Sequence, residues 1–454
     1  MSNTVAAVAT PDGIGAIGVI RISGDDAINI AAQCFRPVNE SKQLTEMSGY
    51  TAAYGYVFDK EGNIDDAVAT VFRAPHSYTG ENTVELSLHG GRAVMTRALR
   101  AVYSCGADAA GRGEFTKRAF LNGKLSLTEA EAVMDVINAE SSAALRSANN
   151  IKNGAVYKKI SRLKEQLTFC AASVAAYVDF PEEGVADERD TELTEPIINA
   201  ADEIKQLIDS FDCGRMIKNG VDCVIAGQPN VGKSTLLNAL SGRERSIVTS
   251  TAGTTRDIIE ETVSVDGVEF RLADTAGIHN GNDEIERIGI TLARERIKTA
   301  QLVLFVFSAE NALTDEDIEM IHSAENAPYI LVVNKSDIGE YNDAERLEQY
   351  GDVVYISAKN DENTDMLRKL MLKKCRIGHI NQADLIIANE RQLTAAKKAY
   401  DALMIAKDEL INGQTLDAVA MLIDDAIAAL MELTGENVSE SVISEVFKNF
   451  CVGK

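Results

Sequence analysis

Long apolar runs, paired cysteines and grouped histidines are all missing from this 454-residue chain. A bilayer-spanning helix needs about 20 consecutive apolar residues, and no run approaches that length, so we expect no membrane span. The first residues, Met-Ser-Asn-Thr-Val-Ala-Ala, lack the basic and apolar regions of a secretion signal. The seven cysteines form no Cys-x-x-Cys pair and the five histidines have no metal-ligand spacing. These absences favour a reduced, cytoplasmic location over a disulfide framework or a zinc site.

Basic residues are also scarce, because 45 Lys and Arg stand against 69 Asp and Glu, for a formal net charge of −24. An acidic surface repels phosphate backbones. If the chain works on RNA, it should therefore bind RNA poorly alone and need a basic partner or a local basic patch. The length and the 45% hydrophobic content indicate a globular chain of roughly two to four domains.

A phosphate-binding loop is the most specific local motif. Residues 227–234 read Gly-Gln-Pro-Asn-Val-Gly-Lys-Ser, between the apolar run Val221–Ala226 and a helical pattern at 235–240. Strand, tight turn and helix form the context that this motif requires. Backbone N–H groups and the helix N-terminus would hold the phosphates. Lys233 is predicted to contact the β- and γ-phosphates, and Ser234 to bind Mg²⁺.

Three later segments, each after an apolar strand, indicate which nucleotide binds. The acidic residue of Asp274-Thr-Ala-Gly277 can hold the Mg²⁺ shell, and Gly277 can meet the γ-phosphate. Asp337, which ends Asn334-Lys-Ser-Asp337, can accept hydrogen bonds from N1–H and the 2-amino group of guanine. Ser357-Ala-Lys359 can close over the base. A lone loop match would also fit chance or an ATPase, whereas four motifs in order predict a guanine nucleotide.

The N-terminal residues 1–119 are rich in alternating strand patterns. Residues 13–18 match Gly-x-Gly-x-x-Gly literally, but a strand pattern follows them where a dinucleotide-binding loop must open a helix. We therefore predict a glycine-rich hairpin there. The predicted strands are Val5–Ala9, Ile17–Ile22, Thr51–Phe58, Ala67–Phe72 and Thr83–Leu88.

Helical periodicity replaces the strand pattern after Ser126. Ser126-Leu-Thr-Glu129 is a capping box, helical spacing continues from Ala130 to Tyr177, and residues 179–190 form an acidic break. Further helices are predicted at about Glu192–Phe211, Asn389–Leu410, Leu416–Leu433 and Ser439–Phe450.

The predicted fold class is multidomain, α+β and α/β. A β-rich N-terminal domain spans 1–119, and a helical domain comprises 120–215 and 379–454. A Ras-like P-loop GTPase domain at 216–378 is inserted into the helical domain, so that helices on both sides of it pack together. Separate helical arms are the alternative.

Sequence blocks outside the nucleotide motifs resemble those of the MnmE (TrmE) family of tRNA-modification GTPases, over essentially the whole chain. Other GTPases share the nucleotide motifs, so these blocks are the more specific part of the resemblance. They are Ala74–Glu81 with His89–Gly91, Gly113–Lys124, Asp179–Glu183 and the C-terminal Phe450–Lys454.

The resemblance implies tRNA modification with an FAD-containing partner of the MnmG (GidA) family, in a heterotetramer or larger complex. The product carries an aminomethyl or carboxymethylaminomethyl group at C5 of the wobble uridine. The one-carbon unit comes from 5-formyl- or methylene-tetrahydrofolate. The N-terminal domain resembles a folate-binding fold and forms the homodimer. The implied folate contacts are Arg21, Glu85, Lys124 and Lys454. Without the resemblance, these four residues would be interpreted as solvated surface charges.

The hydrolytic residues also follow from the resemblance. Ras-like proteins place a Gln directly after Asp-x-x-Gly, but this chain has Ile278, which cannot orient a water molecule. The resemblance implies Glu286 in that role and a K⁺ ion in place of an arginine finger, although Arg256 stays open as a finger in cis. The implied K⁺ ligands are Asn230, Thr249, Thr251 and Thr254, and Thr255 joins Ser234 on Mg²⁺. The full set of predicted GTP-binding residues is Asn230, Val231, Gly232, Lys233, Ser234, Thr235, Thr249, Ser250, Thr251, Ala252, Gly253, Thr254, Thr255, Asp274, Thr275, Ala276, Gly277, Asn334, Lys335, Ser336, Asp337, Ser357, Ala358 and Lys359.

Cys451 is the most distinctive residue outside the GTPase motifs. Its thiol could act as a nucleophile or shield a reactive intermediate, or it could be a small apolar plug in a dimer core. For the chain as a whole, the alternative function is a GTP-driven switch in ribosome assembly without substrate chemistry. The acidic helical C-terminus favours the modification enzyme, because assembly GTPases usually carry a basic RNA-binding appendage.

Overall fold

The computed structural model describes residues 3–39, 41–179, 186–242, 260–274, 295–325, 327–377, 387–412 and 415–454. No helix within these ranges is both long enough and apolar enough to cross a bilayer. The chain divides into two compact units. The first comprises Met1–Met134, Lys152–Glu165 and Ile427–Lys454, and the second comprises Asp135–Ile151 and Gln166–Ala426.

A seven-stranded sheet forms the centre of the first unit. Its order is β3-β4-β5-β6-β2-β1-β7, and all neighbours are antiparallel except β1 and β7. Buried and more exposed residues alternate along β2 and β6, because one face of the sheet packs against two helices. The strands are β1 Val5–Val8, β2 Ile17–Ser23, β3 Phe35–Pro37, β4 Thr51–Asp59, β5 Gly62–Phe72, β6 Thr83–His89 and β7 Asp108–Ala109.

The predicted glycine-rich hairpin at residues 13–18 is confirmed. β1 and β2 pair antiparallel, with Val5 opposite Ser23 and Val8 opposite Ile20, and the glycines connect them. The two packed helices, α1 Ala27–Cys34 and α2 Arg92–Ser104, were not predicted. Both bury small and branched apolar residues against the sheet, so their sequences resemble buried strands over short windows.

The capping box at the start of the helical region is confirmed. The Ser126 N–H donates to Glu129 Oε2 at 2.6 Å, and the Glu129 N–H donates to Ser126 Oγ at 3.3 Å. Helix α3, Glu114–Leu121, precedes this capping box. The helices after it are α4 Leu127–Asn138, α5 Ser142–Lys152, α6 Ala155–Asp179, α7 Ala186–Asp209 and α8 Phe211–Asn219.

Two details of the predicted helical region were wrong. The helical spacing from Ala130 to Tyr177 is divided into three helices, with breaks at 139–141 and 153–154. Gly154 sits at φ +83° and would place a Cβ 2.8 Å from Glu129 Oε1, so this position ends α5 and favours glycine. The acidic stretch is not a break throughout, since its residues 186–190 open α7. Acidic side chains are favourable in the first turn of a helix.

The second unit contains a six-stranded sheet of the order β13-β12-β11-β8-β10-β9. Five strands are parallel, and β9 pairs antiparallel at the edge. Helices cover both faces, so the central strand β11 is buried along all seven residues. The strands are β8 Val221–Ala226, β9 Glu260–Val265, β10 Val268–Asp274, β11 Leu302–Ser308, β12 Tyr329–Asn334 and β13 Val353–Tyr355.

The helices of this sheet and those that follow it complete the fold. α7 packs along the helix Glu390–Ile411, so a helix from before the parallel sheet lies against one from after it. The domain built on the parallel sheet is therefore inserted into the helical layer, as predicted for residues with the nucleotide motifs. Within the described ranges, the remaining helices are α9 Lys233–Ser241, α10 Asp315–His322, α11 Ala344–Glu348, α12 Thr364–Lys374, α13 Glu390–Ile411, α14 Leu416–Thr434 and α15 Glu440–Lys448.

Candidate functional site

The phosphate loop joins β8 to α9 and has a backbone that its sequence requires. Gly227 has φ +153°, and a Cβ there would lie 2.2 Å from Val306 O. Gly232 has φ +96°, and a Cβ there would lie 2.3 Å from Asn334 Nδ2. Side chains larger than hydrogen do not fit at either position, so the loop can close tightly and turn its N–H groups toward an anion.

Lys233 holds the loop from inside. Its side chain is only 6% exposed, and its Nζ donates hydrogen bonds to Gly227 O at 2.8 Å and Gln228 O at 2.9 Å. An ammonium fixed beneath the loop N–H groups is placed to contact phosphate oxygens above it. Ser234 and Thr235, at the start of α9, are exposed and can meet a metal ion or a phosphate. Val231 is buried, so only its backbone is available to a ligand.

Asn334 connects three segments of the predicted nucleotide site. Its Nδ2 donates to Val231 O at 3.0 Å in the phosphate loop. Its Oδ1 accepts from the Lys335 N–H at 2.8 Å and from the Ala358 N–H at 3.0 Å. The residue is 2% exposed, so it braces the site and leaves base contacts to its neighbours. Sequence reasoning assigned Asn334 to GTP binding but missed this bracing role.

The groups predicted to contact the base lie at the same sheet edge, beyond the ends of β12 and β13. Asp337 and Lys359 are exposed there, while Ser336 donates its N–H to Ile356 O at 3.0 Å. Ser357 is fully buried and pairs with Glu362 through two backbone hydrogen bonds. Lys335 Nζ contacts Glu310 Oε2 at 2.6 Å. The exposed Asp337 carboxylate is thus free to accept from a guanine ring, with a rigid turn behind it.

Two of the residues predicted to hold Mg²⁺ lie at the same edge of the parallel sheet. The backbone of Asp274 ends β10 directly beside β8, opposite Ile225, so its position faces the phosphate loop. Hydroxyl and carboxylate oxygens are the ligands that Mg²⁺ prefers, and Ser234 supplies an exposed hydroxyl. Several predicted site residues lie outside the described residues: Thr249, Ser250, Thr251, Ala252, Gly253, Thr254, Thr255, Thr275, Ala276, Gly277 and Glu286.

A second cluster of predicted residues lies in the first unit, around Arg21. Arg21 on β2 and Glu85 on β6 are register partners, and their side chains form an ion pair at 2.8 Å. The Arg21 guanidinium carbon also lies 5.5 Å from the Tyr78 ring centre and 5.4 Å from that of Phe115. Burial raises the pKa of Tyr78, so its phenol stays neutral beside the cation. The two aromatic partners were missed, because no spacing in the sequence connects them with Arg21.

The C-terminal residues 451–454 lie along the start of α3 in the same unit. The Gly113 N–H donates to Cys451 O at 3.2 Å, and the Phe115 N–H donates to Lys454 O at 3.1 Å. Gly453 has φ +95°, and a Cβ there would lie 2.2 Å from Val8 O, so only glycine fits. Phe115 therefore contacts Arg21 with its ring and Lys454 with its backbone, which brings two predicted folate residues to one place.

Lys124, which follows α3, contacts the loop that carries Tyr78. Its Nζ donates to Pro75 O at 3.1 Å, which follows a cis Ala74–Pro75 peptide. The Tyr78 hydroxyl lies 2.9 Å from Thr116 Oγ1 and thereby ties this loop to α3. Arg21, Lys124 and Lys454 thus border the loop at 75–81 or α3, and Glu85 pairs with Arg21.

Cys451 is the exposed cysteine among the seven, none of which is in a disulfide. Burial raises the pKa of Cys213 and of Cys375 to about 12, which keeps those thiols protonated and inert. Cys451 is therefore the thiol best placed to react with a molecule from solution.

Taken with the sheet order, the phosphate loop and the guanine-type motifs define the second unit as a P-loop GTPase of the Ras-like class. Residues 127–451 match the family model for the MnmE helical domain, and residues 4–124 match that for the GTP-binding protein TrmE N-terminus. The chain belongs to the MnmE family of tRNA modification GTPases.

Relatives match along the whole chain. The tRNA modification GTPase MnmE of Caldicellulosiruptor saccharolyticus is 38% identical, over 100% of this chain and 99% of that protein. The protein of the same name from Clostridioides difficile is 35% identical over 100% of both. Among solved structures, Era of Aquifex aeolicus bound to GDP and aluminium fluoride is 28% identical, over 41% of this chain and 67% of that one, with a TM-score of 0.29.

Proposed function

We propose that this GTPase modifies the wobble uridine of certain tRNAs at C5, together with an FAD-containing partner of the MnmG family and a folate one-carbon donor. The added group is an aminomethyl or carboxymethylaminomethyl group. The observation that carries the proposal is that Phe115 contacts both the C-terminal residues 451–454 and Arg21, which pairs with Glu85. It puts an exposed thiol and the predicted folate residues on one unit, separate in the chain from the nucleotide site.

The residues around Arg21 suit a folate. Tetrahydrofolate has a polar pterin ring and a glutamate tail with carboxylates, so it needs hydrogen-bond donors, an acceptor and cations. Arg21 is oriented by Glu85 and by two aromatic rings, which fixes the direction of its remaining N–H groups. Lys124 and Lys454 add positive charge. When bound, the folate would supply the one-carbon unit, and these side chains would bind and orient it.

In this proposal, K⁺ assists GTP hydrolysis at the nucleotide site. Lys233 and the loop N–H groups bind phosphate, and Ser234 and Asp274 hold Mg²⁺. Asn230 is exposed with φ +66°, so its side chain is presented beside the phosphate position and can bind a cation. We propose that K⁺ binds there together with Thr249, Thr251 and Thr254, that Thr255 binds Mg²⁺, and that Glu286 orients the attacking water. The chain acts in the cytoplasm as a homodimer formed through the N-terminal unit.

We expect hydrolysis in Na⁺ to be about 10²-fold or more slower than in K⁺, because a fixed cation stabilises the charge that develops on the phosphate oxygens. Asn230→Ala should lower the K⁺ rate to the Na⁺ level, while Asn238→Ala, an exposed amide further along α9, should keep the K⁺ rate. The measurement is steady-state GTP turnover at saturating GTP and matched ionic strength. Equal turnover of the unchanged chain in the two salts would rule the K⁺ mechanism out.

Mass spectrometry of nucleosides from total tRNA tests the substrate directly. Cells that lack the chain should lose the C5-modified wobble uridine and accumulate its unmodified or partly modified precursor. Expression of the intact chain should restore the modification. Normal wobble nucleosides together with a ribosome-assembly defect would favour the alternative function, a GTP-driven assembly switch.

A further inference from the structure

The first unit contains a groove of about 710 Å³ between α2 and the turn that joins β4 to β5. Its lining includes the cations Lys60, Arg92, Arg97 and Arg100. Asp59 and Glu61 are the acidic residues in the lining, so four cations against two carboxylates leave a net charge of +2. The whole chain has a net charge of −24, whereas the lining of this groove is net positive.

Arg97 engages both carboxylates. Its Nε contacts Asp59 Oδ2 at 2.7 Å, its Nη2 contacts Asp59 Oδ1 at 2.7 Å, and Nη2 also lies 3.3 Å from Glu61 Oε2. The hydrogen bonds from Arg97 are the main reason why the pKa of Asp59 falls to about 2. The turn is thereby fixed against α2, and Arg97 engages both carboxylates of the groove.

The other three cations have no carboxylate partner in the part of the chain that the structure describes. Arg92, Thr96 and Arg100 are exposed and four residues apart, so they lie along one face of α2. The two arginines are about 12 Å apart along the helix axis. Lys60 is exposed on the opposite wall. The groove thus presents a row of charged and hydroxyl donors for which the described residues supply no side-chain partner.

Arg92 is placed where a cation is electrostatically unfavourable. It is the first residue of α2, where backbone N–H groups already carry partial positive charge. The first turn has no acidic residue, and Gly91 at the N-cap has no side chain to accept a hydrogen bond. An anion bound at this end would satisfy the N–H groups and the guanidinium together.

We propose that this groove binds the sugar-phosphate backbone of the tRNA substrate; the choice of RNA rests on the proposed function. Arginine, lysine, threonine and a helix N-terminus are the groups that contact phosphates in nucleic-acid complexes. No aromatic residue lines the groove, so it has no platform on which bases could stack. The groove positions the RNA without reading its sequence.

The test is binding of fluorescently labelled, unfractionated tRNA to the full chain, by fluorescence anisotropy over a range of salt concentrations. Each phosphate contact contributes about 0.7 to 0.9 to the slope of log K against log salt concentration. Arg92→Ala with Arg100→Ala should therefore lower that slope by about 1.4 to 1.8 and weaken binding at low salt by at least about tenfold. Lys42→Ala with Lys397→Ala removes the same charge from exposed positions outside the groove and should leave the slope unchanged.

GTP turnover of both double variants should equal that of the unchanged chain, because the substituted residues lie outside the nucleotide site, and matching circular dichroism spectra should establish that the variants fold. A slope and affinity equal to those of the Lys42 and Lys397 control would overturn the proposal, as would no tRNA binding by the intact chain at low salt. Weakened self-association in sedimentation with unchanged tRNA binding would assign the groove to a protein contact and also overturn it. The nucleoside assay in cells that lack the chain tests the proposed function independently, because that assay does not use these substitutions.

Discussion

Gly232→Ala should reduce GTP affinity by roughly 10²-fold or more. The new Cβ would lie 2.3 Å from Asn334 Nδ2, and the residue would have to keep φ +96°. A left-handed non-glycine residue costs about 1–2 kcal/mol, and a buried polar group that loses its partner costs about 1–3 kcal/mol. The loop can relax in the free protein, so this cost appears on binding, where about 1.4 kcal/mol corresponds to a factor of ten.

The measurement is titration of the full chain with a fluorescent GTP analogue. Gly339→Ala is the matched control, because it lies just beyond Asp337 and its Cβ would meet no atom within 4 Å. The control should bind GTP as the unchanged chain does. If Gly232→Ala also binds normally, the close contact between the loop and Asn334 is not needed for the nucleotide.

Cys451→Ser should lower tRNA modification by at least about 10²-fold and leave GTP turnover unchanged. Loss of a catalytic group commonly costs that much, and a serine hydroxyl is far less acidic than a thiol. Cys451 is exposed, and its recorded hydrogen bond to Gly113 uses the backbone oxygen, so serine should not displace the residues around it. The free energy of unfolding should therefore change by no more than about 0.5 kcal/mol.

The experiment pairs nucleoside mass spectrometry from cells expressing the variant with K⁺-stimulated GTP turnover in vitro. Cys105→Ser, a half-buried thiol of the same unit, serves as the control and should retain both activities. Normal modification by Cys451→Ser would reduce the residue to a structural role. Loss of both activities together would indicate misfolding and would count against a chemical role.

Elements with strong periodicity and clear ends were predictable. The helix predicted at Asn389–Leu410 is observed at Glu390–Ile411, and that predicted at Leu416–Leu433 is observed at Leu416–Thr434. Asn389 caps the first of these through its side chain, which accepts from the Arg391 N–H at 2.9 Å. A cap and a long apolar stripe define a helix locally, so neighbouring sequence is enough to find it.

Features that depend on distant residues were not predictable. Helix α1 has the sequence Ala-Ile-Asn-Ile-Ala-Ala-Gln-Cys, which is as compatible with a buried strand as with a helix until the sheet beneath it is known. Asn334 donates a hydrogen bond to Val231, which lies 103 residues earlier, and no local sequence pattern predicts that hydrogen bond. The aromatic rings around Arg21 come from a loop and from α3, which only the folded sheet brings together. The nucleotide motifs were visible because their chemistry is concentrated in short segments.

The packing of α7 on α13 has a consequence for the order in which the chain folds. These helices lie on either side of the GTPase domain, so their pairing closes a loop that contains that whole domain. Closing an unfolded loop of such length costs conformational entropy. Once the parallel sheet has formed, the two chain segments that enter and leave it are already close together. The entropic cost of pairing α7 with α13 is then smaller. The inserted domain should therefore fold first and serve as a template for the helical layer.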